Sequence, residues 1–451
     1  MSAVRVIDAS YVSVPATATP SPEPIKLNAM EAQWLTFFPV VQRVLLFDLD
    51  GADHTSPFDT VLECLRSSLA ATLSSFAPLA GKLVHLKDTG DVGISCSATD
   101  GVRFVVAESD ADIRRLSGDE EYDISVLRLL VPEVDMSELP VRVLAVQVTR
   151  LDGGMGMALG VTVHHAVADG RSLWAFVEAW ATACRGNTPA AATPTFDRSL
   201  VKLPRGDELA REVLQKFAPN LPLATLPMPT TGETIRPFTR VRGFTLEKQD
   251  IELLKKRIIH LSESNGVYLL SHPLSAFAAI AGLAWTCFVR CKQFSGDDDV
   301  LFFFFADARR RLDPPVDEAY TGSCLTGCLA RLPAGELQAD HALVAAASAV
   351  QDEVCKMAKD PVAGLDFLTP LLTVDMDRLM HVSGSPGFKA YEVADFGWGR
   401  PRWTENARMN DDGHVVLMRA KDGHGVQVSV SLLLPAQMDE FQAQFLKLLQ
   451  R

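Results

Sequence analysis

The chain has 451 residues, of which 47% are hydrophobic and 22% are charged, and its formal net charge is −13. Because single domains usually hold about 100–200 residues, this length predicts two domains, each with its own core. The acidic balance argues against nucleic acid or an anionic membrane as a partner. The most apolar stretch, residues 300–306, is far too short to span a bilayer.

The eight cysteines do not indicate a dense disulfide framework in a chain of this length. Two pairs with four-residue spacing, Cys287/Cys291 and Cys324/Cys328, leave a metal site open, but no neighbouring histidine or cysteine cluster completes one. Free buried thiols are therefore the favoured interpretation, and no metal is predicted. Since the first 24 residues contain no apolar run of signal-peptide length, the predicted compartment is the reducing cytoplasm.

The first well-marked element is a helix beginning near residue 57. Ser56 is a suitable N-cap, and Pro57 suits the first helical position. Apolar residues then share one helical face until Pro78 ends the pattern: Val61, Leu62, Leu65, Leu69, Leu73 and Phe76. Further along, residues 157–165 alternate as a strand and residues 173–184 have helical spacing, which together predict a strand, a tight turn and a helix.

The periodic pattern fades near the middle of the chain, in a stretch rich in proline, threonine and alanine. We predict that residues 187–237 form a crossover linker. It would join an N-terminal domain of residues 1–186 to a C-terminal domain of residues 238–451.

The second half carries elements of both kinds. Strands are predicted at residues 241–246 and 426–432, and helices at residues 248–260, at residues 274–292 and from Pro435 onwards. Because strands and helices mix in both halves, the predicted fold class is α/β, with mixed sheets flanked by helices.

The run His164-His165-Ala166-Val167-Ala168-Asp169-Gly170 lies where the predicted strand ends and the helix begins. Strand alternation turns His164 and His165 to opposite faces, so the two cannot share one role. In one interpretation, a histidine is a general base whose orientation is fixed by Asp169 or a neighbour. In the other, Asp169 only caps the helix that begins at Gly170 and the histidines are structural.

Two glycine-rich or basic segments are less informative. The run Gly153-Gly154-Met155-Gly156 precedes a strand instead of following one, which predicts a hairpin turn and not a dinucleotide loop. The basic residues Lys255, Lys256 and Arg257 share a predicted helix, where they form either a solvated face or a contact for the phosphates of a ligand. No G-x-S-x-G or Walker sequence occurs, so a serine hydrolase or a P-loop enzyme has no support.

Two further segments combine residues in unusual ways. The run Asp395-Phe396-Gly397-Trp398-Gly399 interleaves two glycines with two aromatic residues, which predicts an unusual backbone held in a fixed shape. The run Asp307-Ala308-Arg309-Arg310-Arg311 follows an apolar strand directly. Its arginines are either surface charges or partners of a buried carboxylate.

In this order and spacing, the three segments around His165, Arg309 and Trp398 resemble the plant BAHD family of acyl-CoA-dependent acyltransferases, and the likeness runs over nearly the whole chain. Two more segments are similar to the family: Pro78-Leu79-Ala80-Gly81-Lys82-Leu83 and Phe196-Asp197-Arg198-Ser199. Within the family, the chain looks closest to the group that acylates glycosylated anthocyanins, flavonoids and phenolics. Two segments depart from that group's pattern: Tyr320-Thr321-Gly322-Ser323-Cys324, in place of Y-F-G-N-C, and residues 27–35.

The resemblance implies two similar domains like chloramphenicol acetyltransferase, with an active-site channel at their interface. It makes His165 the general base, while Asp169 orients the loop. In the family, the aspartate that corresponds to Asp395 is sometimes credited as a second proton acceptor. We favour a structural ion pair between Asp395 and Arg309.

The resemblance also guides the prediction of binding residues. Lys255, Lys256 and Trp398 are predicted to contact the co-substrate, and the indole N–H of Trp398 is a candidate donor to the reaction's oxyanion. Gly397 and Gly399 are predicted to shape the loop.

The function that this resemblance implies is O-acyl transfer from acyl-CoA, the co-substrate, in a ternary complex without a permanently bound cofactor. A malonyl or hydroxycinnamoyl group would move to a hydroxyl of a phenolic or flavonoid glycoside, and the protein is expected to be a monomer. N-acylation of an amine stays open, as does a non-catalytic relative that binds acyl-CoA or a phenolic. A peptide-synthetase condensation-like domain shares H-H-x-x-x-D-G, but the loop at residues 395–399 disfavours it.

Overall fold

The computed structural model describes residues 4–16, 21–49, 57–118, 121–188, 193–224, 240–265, 272–371, 373–409 and 411–449. The strands are β1 (Val4–Ser13), β2 (Ile25–Lys26), β3 (Val40–Asp48), β4 (Lys82–Leu86), β5 (Asp91–Ser95), β6 (Gly101–Ser109), β7 (Glu121–Asp123), β8 (Val141–Arg142), β9 (Leu144–Leu151), β10 (Gly156–His164), β11 (Arg240–Leu246), β12 (Asp299–Asp307), β13 (Leu325–Pro333), β14 (Leu379–Ser385), β15 (Trp403–Asn406), β16 (His414–Arg419) and β17 (Val426–Leu432).

The helices pack on the faces of the sheets. They are α1 (Ala29–Ala32), α2 (Phe58–Leu73), α3 (Ile124–Leu129), α4 (Gly170–Cys184), α5 (Asp207–Phe217), α6 (Lys248–Asn265), α7 (Ala276–Lys292), α8 (Ala334–Gln338), α9 (Ala342–Lys359), α10 (Leu368–Leu371), α11 (Ala390–Val393) and α12 (Pro435–Leu449). Within the described ranges, no helix is both long enough and apolar enough to cross a membrane.

The described strands form two large sheets and a small one. The first large sheet has the order β1-β6-β9-β10-β3-β15, the second has the order β13-β12-β14-β16-β17-β11-β7, and the small sheet has the order β2-β5-β4-β8. Both large sheets are mixed, since β6 runs parallel to β9 and β14 runs parallel to both β12 and β16. The predicted α/β class with mixed sheets and flanking helices is confirmed.

Each large sheet includes one edge strand that comes from the other half of the chain. Strand β15, from the C-terminal half, pairs with β3 of the first sheet, and β7, from the N-terminal half, pairs with β11 of the second. An added strand covers backbone groups that would otherwise form an open edge. The domain boundaries near residues 186 and 238 stay a prediction. Strands β7 and β15 each belong to one half of the chain by sequence and to the sheet of the other half by pairing.

Most predicted elements lie within a few residues of their predicted positions. Strand β10 and helix α4 form the predicted strand, turn and helix, and the chain turns at residues 152–154 between β9 and β10, so the hairpin is confirmed. Helix α2 begins at Phe58 with Pro57 in the cap position. The predicted cap residue, Ser56, lies outside the described residues.

The predicted linker contains a helix that we did not predict. Helix α5 buries four residues that recur at helical spacing: Ala210, Val213, Leu214 and Phe217. This i, i+3, i+4, i+7 pattern is an ordinary sign of an amphipathic helix. We did not predict the helix because the proline and glycine residues on either side of it are typical of a linker.

All eight cysteines are free thiols. Cys287 and Cys291 lie on the buried face of α7, and burial raises the pKa of Cys291 to about 12. The favoured interpretation of buried thiols is confirmed for Cys287, Cys291, Cys324 and Cys328.

Candidate active site

The histidine pair lies at the end of the central strand of the first sheet. Strand β10 pairs with β9 on one side and β3 on the other, and all nine of its residues are buried. His164 is fully buried, and its Nδ1 accepts a hydrogen bond of 3.2 Å from the amide of Ala166. His165 follows, with its amide bonded to the carbonyl of Pro39 at 2.7 Å. His164 therefore serves the turn, while the ring of His165 is partly exposed.

The ring of His165 is held by two side chains. Trp34 stacks on it, with ring centroids 3.8 Å apart and planes 6° from parallel. Ser323 Oγ lies 3.1 Å from His165 Nδ1, and the same hydroxyl donates to the His165 carbonyl. Because the serine proton is used in that bond, Oγ is an acceptor towards Nδ1. This assignment places the ring hydrogen on Nδ1 and the lone pair on Nε2.

Both histidines are held in the neutral form by burial. Burial lowers the pKa of His165 to about 4, although the nearby charge of Asp169 acts in the opposite direction. Burial, followed by the proximity of His165, lowers the pKa of His164 to about 3. The imidazole of His165 is therefore neutral near pH 7, which is the form that accepts a proton.

Asp169 is fully committed to structure. Its Oδ1 accepts from the amide of Ser172 at 2.9 Å, which caps α4, and its Oδ2 accepts from Arg309 Nη1 at 2.7 Å and from the amide of Cys324 at 3.2 Å. Burial of Asp169 opposes ionisation, but Arg309 and the two amides outweigh it and lower the pKa of the carboxyl. The capping interpretation therefore describes Asp169 well.

The predicted pair between Asp395 and Arg309 is wrong. Arg309 is 1% exposed, and its guanidinium forms ion pairs with Asp169 and Asp307 and donates to the carbonyl of Gly322. The carboxylate of Asp395 accepts instead from the amides of its own loop, from Gly397 at 2.9 Å and from Gly399 at 3.2 Å. Asp395 can close its loop without a distant partner, whereas Asp169 at the start of α4 needs a countercharge.

The loop at residues 395–399 has the fixed backbone that its glycines predict, with φ of +111° at Gly397 and +95° at Gly399. Phe396 is 1% exposed and packs edge-on against Trp180 of α4, with centroids 5.2 Å apart. Trp398 stacks on Phe396, and its indole N–H has no hydrogen-bond partner in the described part of the chain. The loop thus packs behind α4, and the ring of Trp398 lies 6.2 Å from that of Phe47, whose register partner on β10 is Met157. Because His165 follows the opposite end of β10, roughly 20 Å away at about 3.3 Å per residue, the predicted donation from Trp398 to the oxyanion is wrong, whereas its contact with the co-substrate stays a prediction.

The two predicted phosphate contacts lie on α6. Lys256 is exposed and Lys255 is half-exposed, and among the described residues neither forms a hydrogen bond or an ion pair. Their neighbour Arg257 donates to the carbonyl of Leu448 at 2.6 Å. The predicted contact of the two lysines with phosphates stays a prediction.

A buried polar cluster, which we did not predict, joins three distant segments beside Ser323. Arg198 Nη2 lies 2.9 Å from Glu31 Oε1, and the hydroxyl of Tyr320 donates to the same oxygen at 2.8 Å. Arg198 also donates to the carbonyl of Thr321 at 3.0 Å. Gly322 is required here, because a Cβ would lie 2.4 Å from Glu31 Oε1. The sequence feature that could have predicted this cluster is the likeness of three segments to those of the BAHD family: residues 27–35, 196–199 and 320–324.

Comparison with known proteins shows that the chain is an acyl-transferring enzyme. The profile of the Transferase family matches residues 6–448, and the chain belongs to this family of BAHD acyltransferases. Phenolic glucoside malonyltransferase 2 of Arabidopsis thaliana is 31% identical over 428 residues, or 90% of each chain. Agmatine coumaroyltransferase of the same plant is 30% identical over 99% of each chain.

Solved structures show the same fold. The crystal structure of vinorine synthase superimposes with a TM-score of 0.75 at 19% identity and covers 99% of this chain and 98% of that chain. The crystal structure of the TRI101 protein of F. sporotrichioides, complexed with coenzyme A and T-2, has a TM-score of 0.64 at 17% identity and covers 93% and 97%. The predicted fold is confirmed by both.

Proposed function

We propose that this protein transfers an acyl group from coenzyme A to a hydroxyl of a small phenolic or flavonoid glycoside, with His165 as the general base. The observation that carries the proposal is the contact of 3.1 Å between His165 Nδ1 and Ser323 Oγ. It supports a tautomer in which Nε2 is free to take a proton. The relatives named as phenolic and anthocyanin glucoside malonyltransferases support the class of acceptor and a malonyl donor.

In the proposed reaction, Nε2 of His165 takes the proton of the acceptor hydroxyl while that oxygen bonds to the thioester carbon. The carbonyl electrons move to their oxygen, where a hydrogen-bond donor would stabilise the negative charge. When the intermediate collapses, the carbon–sulfur bond breaks and its electrons leave on sulfur. The protonated His165 then returns its proton to the thiolate, so base and acid are one residue.

The remaining residues position the reactants. Asp169 holds the turn on α4, and the stacked Trp34 restricts the ring of His165. Lys255 and Lys256 of α6 are the proposed contacts for the phosphates of coenzyme A. Because Ser323 and Arg309 from the second half meet His165 and Asp169 from the first, one chain supplies both walls, which supports a monomer. The eight free thiols support the cytoplasm as the compartment.

A donor-by-acceptor panel tests the proposal. Malonyl-CoA and p-coumaroyl-CoA are each offered with phenolic glucosides, flavonoid glucosides and agmatine, and the release of coenzyme A thiol is measured against His165→Ala. The expected result is thiol release with a glucoside that is lost in the variant. Turnover with the amine alone would instead favour N-acylation, which the similarity to agmatine coumaroyltransferase supports. Binding of acyl-CoA without thiol release from any pair would favour a non-catalytic relative.

A further inference from the structure

A second pair of histidines lies on the second large sheet, outside the turn that carries His165. His381 of β14 and His414 of β16 are register partners on parallel strands, and their rings stack with centroids 4.3 Å apart. Asp411, in the turn before β16, places Oδ2 4.0 Å from His381 Nε2. One ligand atom from each of the three residues lies within 4.8 Å of the other two. We call these residues the His381–Asp411–His414 cluster.

His414 has one ring nitrogen engaged and one left over. It is 5% exposed, and its Nε2 lies 2.8 Å from Ser383 Oγ. Its Nδ1 is buried and forms no hydrogen bond of ordinary geometry among the described residues, and the backbone of Arg408 lies near the ring. Leaving a buried polar atom unsatisfied costs free energy, so such an atom calls for a ligand. A metal-ligating histidine is commonly oriented by a hydrogen bond at its other nitrogen, and Ser383 is placed to provide one.

The turn that carries Asp411 is fixed by its neighbours. The amide of His381 donates to the carbonyl of Gly413 at 3.0 Å, and Ser431 Oγ donates to the carbonyl of Asp411 at 2.7 Å. The carboxylate of the adjacent Asp412 accepts from the amide of Leu433 at 3.2 Å and pairs with Lys292. The backbone of Asp411 is therefore fixed beside the histidines, while the stacked rings of His381 and His414 have to turn so that a nitrogen of each faces the ion.

We propose that the His381–Asp411–His414 cluster binds one divalent transition-metal ion, with zinc as the expected ion. Two imidazoles and one carboxylate are a ligand set that suits zinc, and a water molecule would fill the fourth position. Imidazole nitrogen disfavours magnesium and calcium, which prefer oxygen ligands. Two arginines lie near the cluster: Arg43 acts on His414 and faces the buried Glu405, and Arg408 acts on Asp411. The ion would tie β14, β16 and the turn before β16 together.

The test measures zinc binding to the full chain, purified without a histidine tag and stripped with a chelator. Equilibrium dialysis should find one zinc ion per chain, and cobalt should give the visible absorption of a four-coordinate site. His381→Gln and Asp411→Asn should each weaken binding by at least about 10-fold, and Ser383→Ala should weaken it by about 10–100-fold. His424→Gln is the matched control, because His424 is exposed on the turn beyond the other end of β16 and should leave binding unchanged.

Absence of stoichiometric zinc binding would overturn the proposal. So would unchanged affinity in both His381→Gln and Asp411→Asn, because the ion would then be bound elsewhere. These two side chains are partly exposed, so their variants are expected to fold, and melting temperature without metal checks this. Loss of the bound zinc in these variants, with melting unchanged, would establish the cluster as the site.

Discussion

Adjacent histidines have opposite duties in this protein. His164 is buried and bonded to its own turn, whereas His165 offers a neutral ring towards the site. His165→Ala should lower kcat by about 10²–10⁴-fold, which is the usual contribution of a general base. The melting temperature should change little. His164→Ala should show the reverse, with lower stability and milder loss of kcat.

Single-turnover kinetics and thermal unfolding of both variants separate the two duties. Retention of more than a few per cent of the activity in His165→Ala would argue against its role as the base. An unaltered melting temperature in His164→Ala would argue against its role in the turn.

The ion pair between Asp169 and Arg309 is the strongest link between the two halves of the site. Both side chains are 1% exposed, so removing one leaves the other charge buried and unpaired. Asp169→Ala and Arg309→Ala should each cost about 3–5 kcal/mol of unfolding free energy. The double variant should cost less than the sum of the two, because the second truncation removes a charge that is already unpaired.

Urea unfolding of the four proteins in this cycle gives the coupling energy. Asp395→Ala is the control. Among the described residues, the Asp395 carboxylate bonds to the amides of its own loop, so this substitution should cost about 1 kcal/mol. Strict additivity of the two single variants would show that the contact between Asp169 and Arg309 contributes no coupling.

Among the structural elements, the segment at residues 320–324 presents Ser323 to the turn that carries His165. The cluster of Glu31, Arg198 and Tyr320 anchors it. Arg198→Ala leaves the fully buried Glu31 without its cation and should cost about 3–5 kcal/mol. Tyr320→Phe removes one donor to Glu31 and should cost about 1–3 kcal/mol.

Thermal unfolding and urea unfolding measure both changes. Tyr11→Phe is the matched control, because Tyr11 is 54% exposed and the same chemical change there should stay within about 0.5 kcal/mol. Equal losses of unfolding free energy in Tyr320→Phe and Tyr11→Phe would show that the hydroxyl of Tyr320 does not anchor the segment.

Local patterns predicted the elements better than their contacts. The strand, turn and helix around His165 could be located because alternation and helical spacing are properties of neighbouring residues. The partner of Arg309 could not be predicted, because Asp169 lies 140 residues away in the sequence. The sequence around Arg309 does not distinguish Asp169 from any other carboxylate as the partner. Trp34 and Ser323 were missed as neighbours of His165 for the same reason, since only the folded chain brings residues 34, 165 and 323 together.

At the scale of the whole molecule, buried histidines make stability depend on pH. Burial lowers the pKa of His164 to about 3, that of His165 to about 4, and that of His414 well below its usual value. In the unfolded chain each would titrate near 6.5, so below that pH the unfolded state binds more protons than the native state. Stability should therefore be full above about pH 6.5 and fall as the pH drops towards 4.

Each such histidine contributes a slope of up to about 1.4 kcal/mol per pH unit in this range. Urea unfolding at pH 5, 6 and 7 measures the total slope, and His164→Gln should reduce it by about one proton. A flat profile between pH 5 and 7, or an unreduced slope in the variant, would contradict the assignment.

The exchange of edge strands between the two large sheets also limits how the gene can be divided. If residues 1–186 were produced alone, the first sheet would lack β15 and expose β3, and if residues 238–451 were produced alone, the second would lack β7 and expose β11. Exposed strand edges promote aggregation. A hybrid that joins the first half of one relative to the second half of another would have to match both foreign strands as well as the interface. We therefore expect recombination between relatives to succeed more readily inside a surface loop than at the predicted domain boundary.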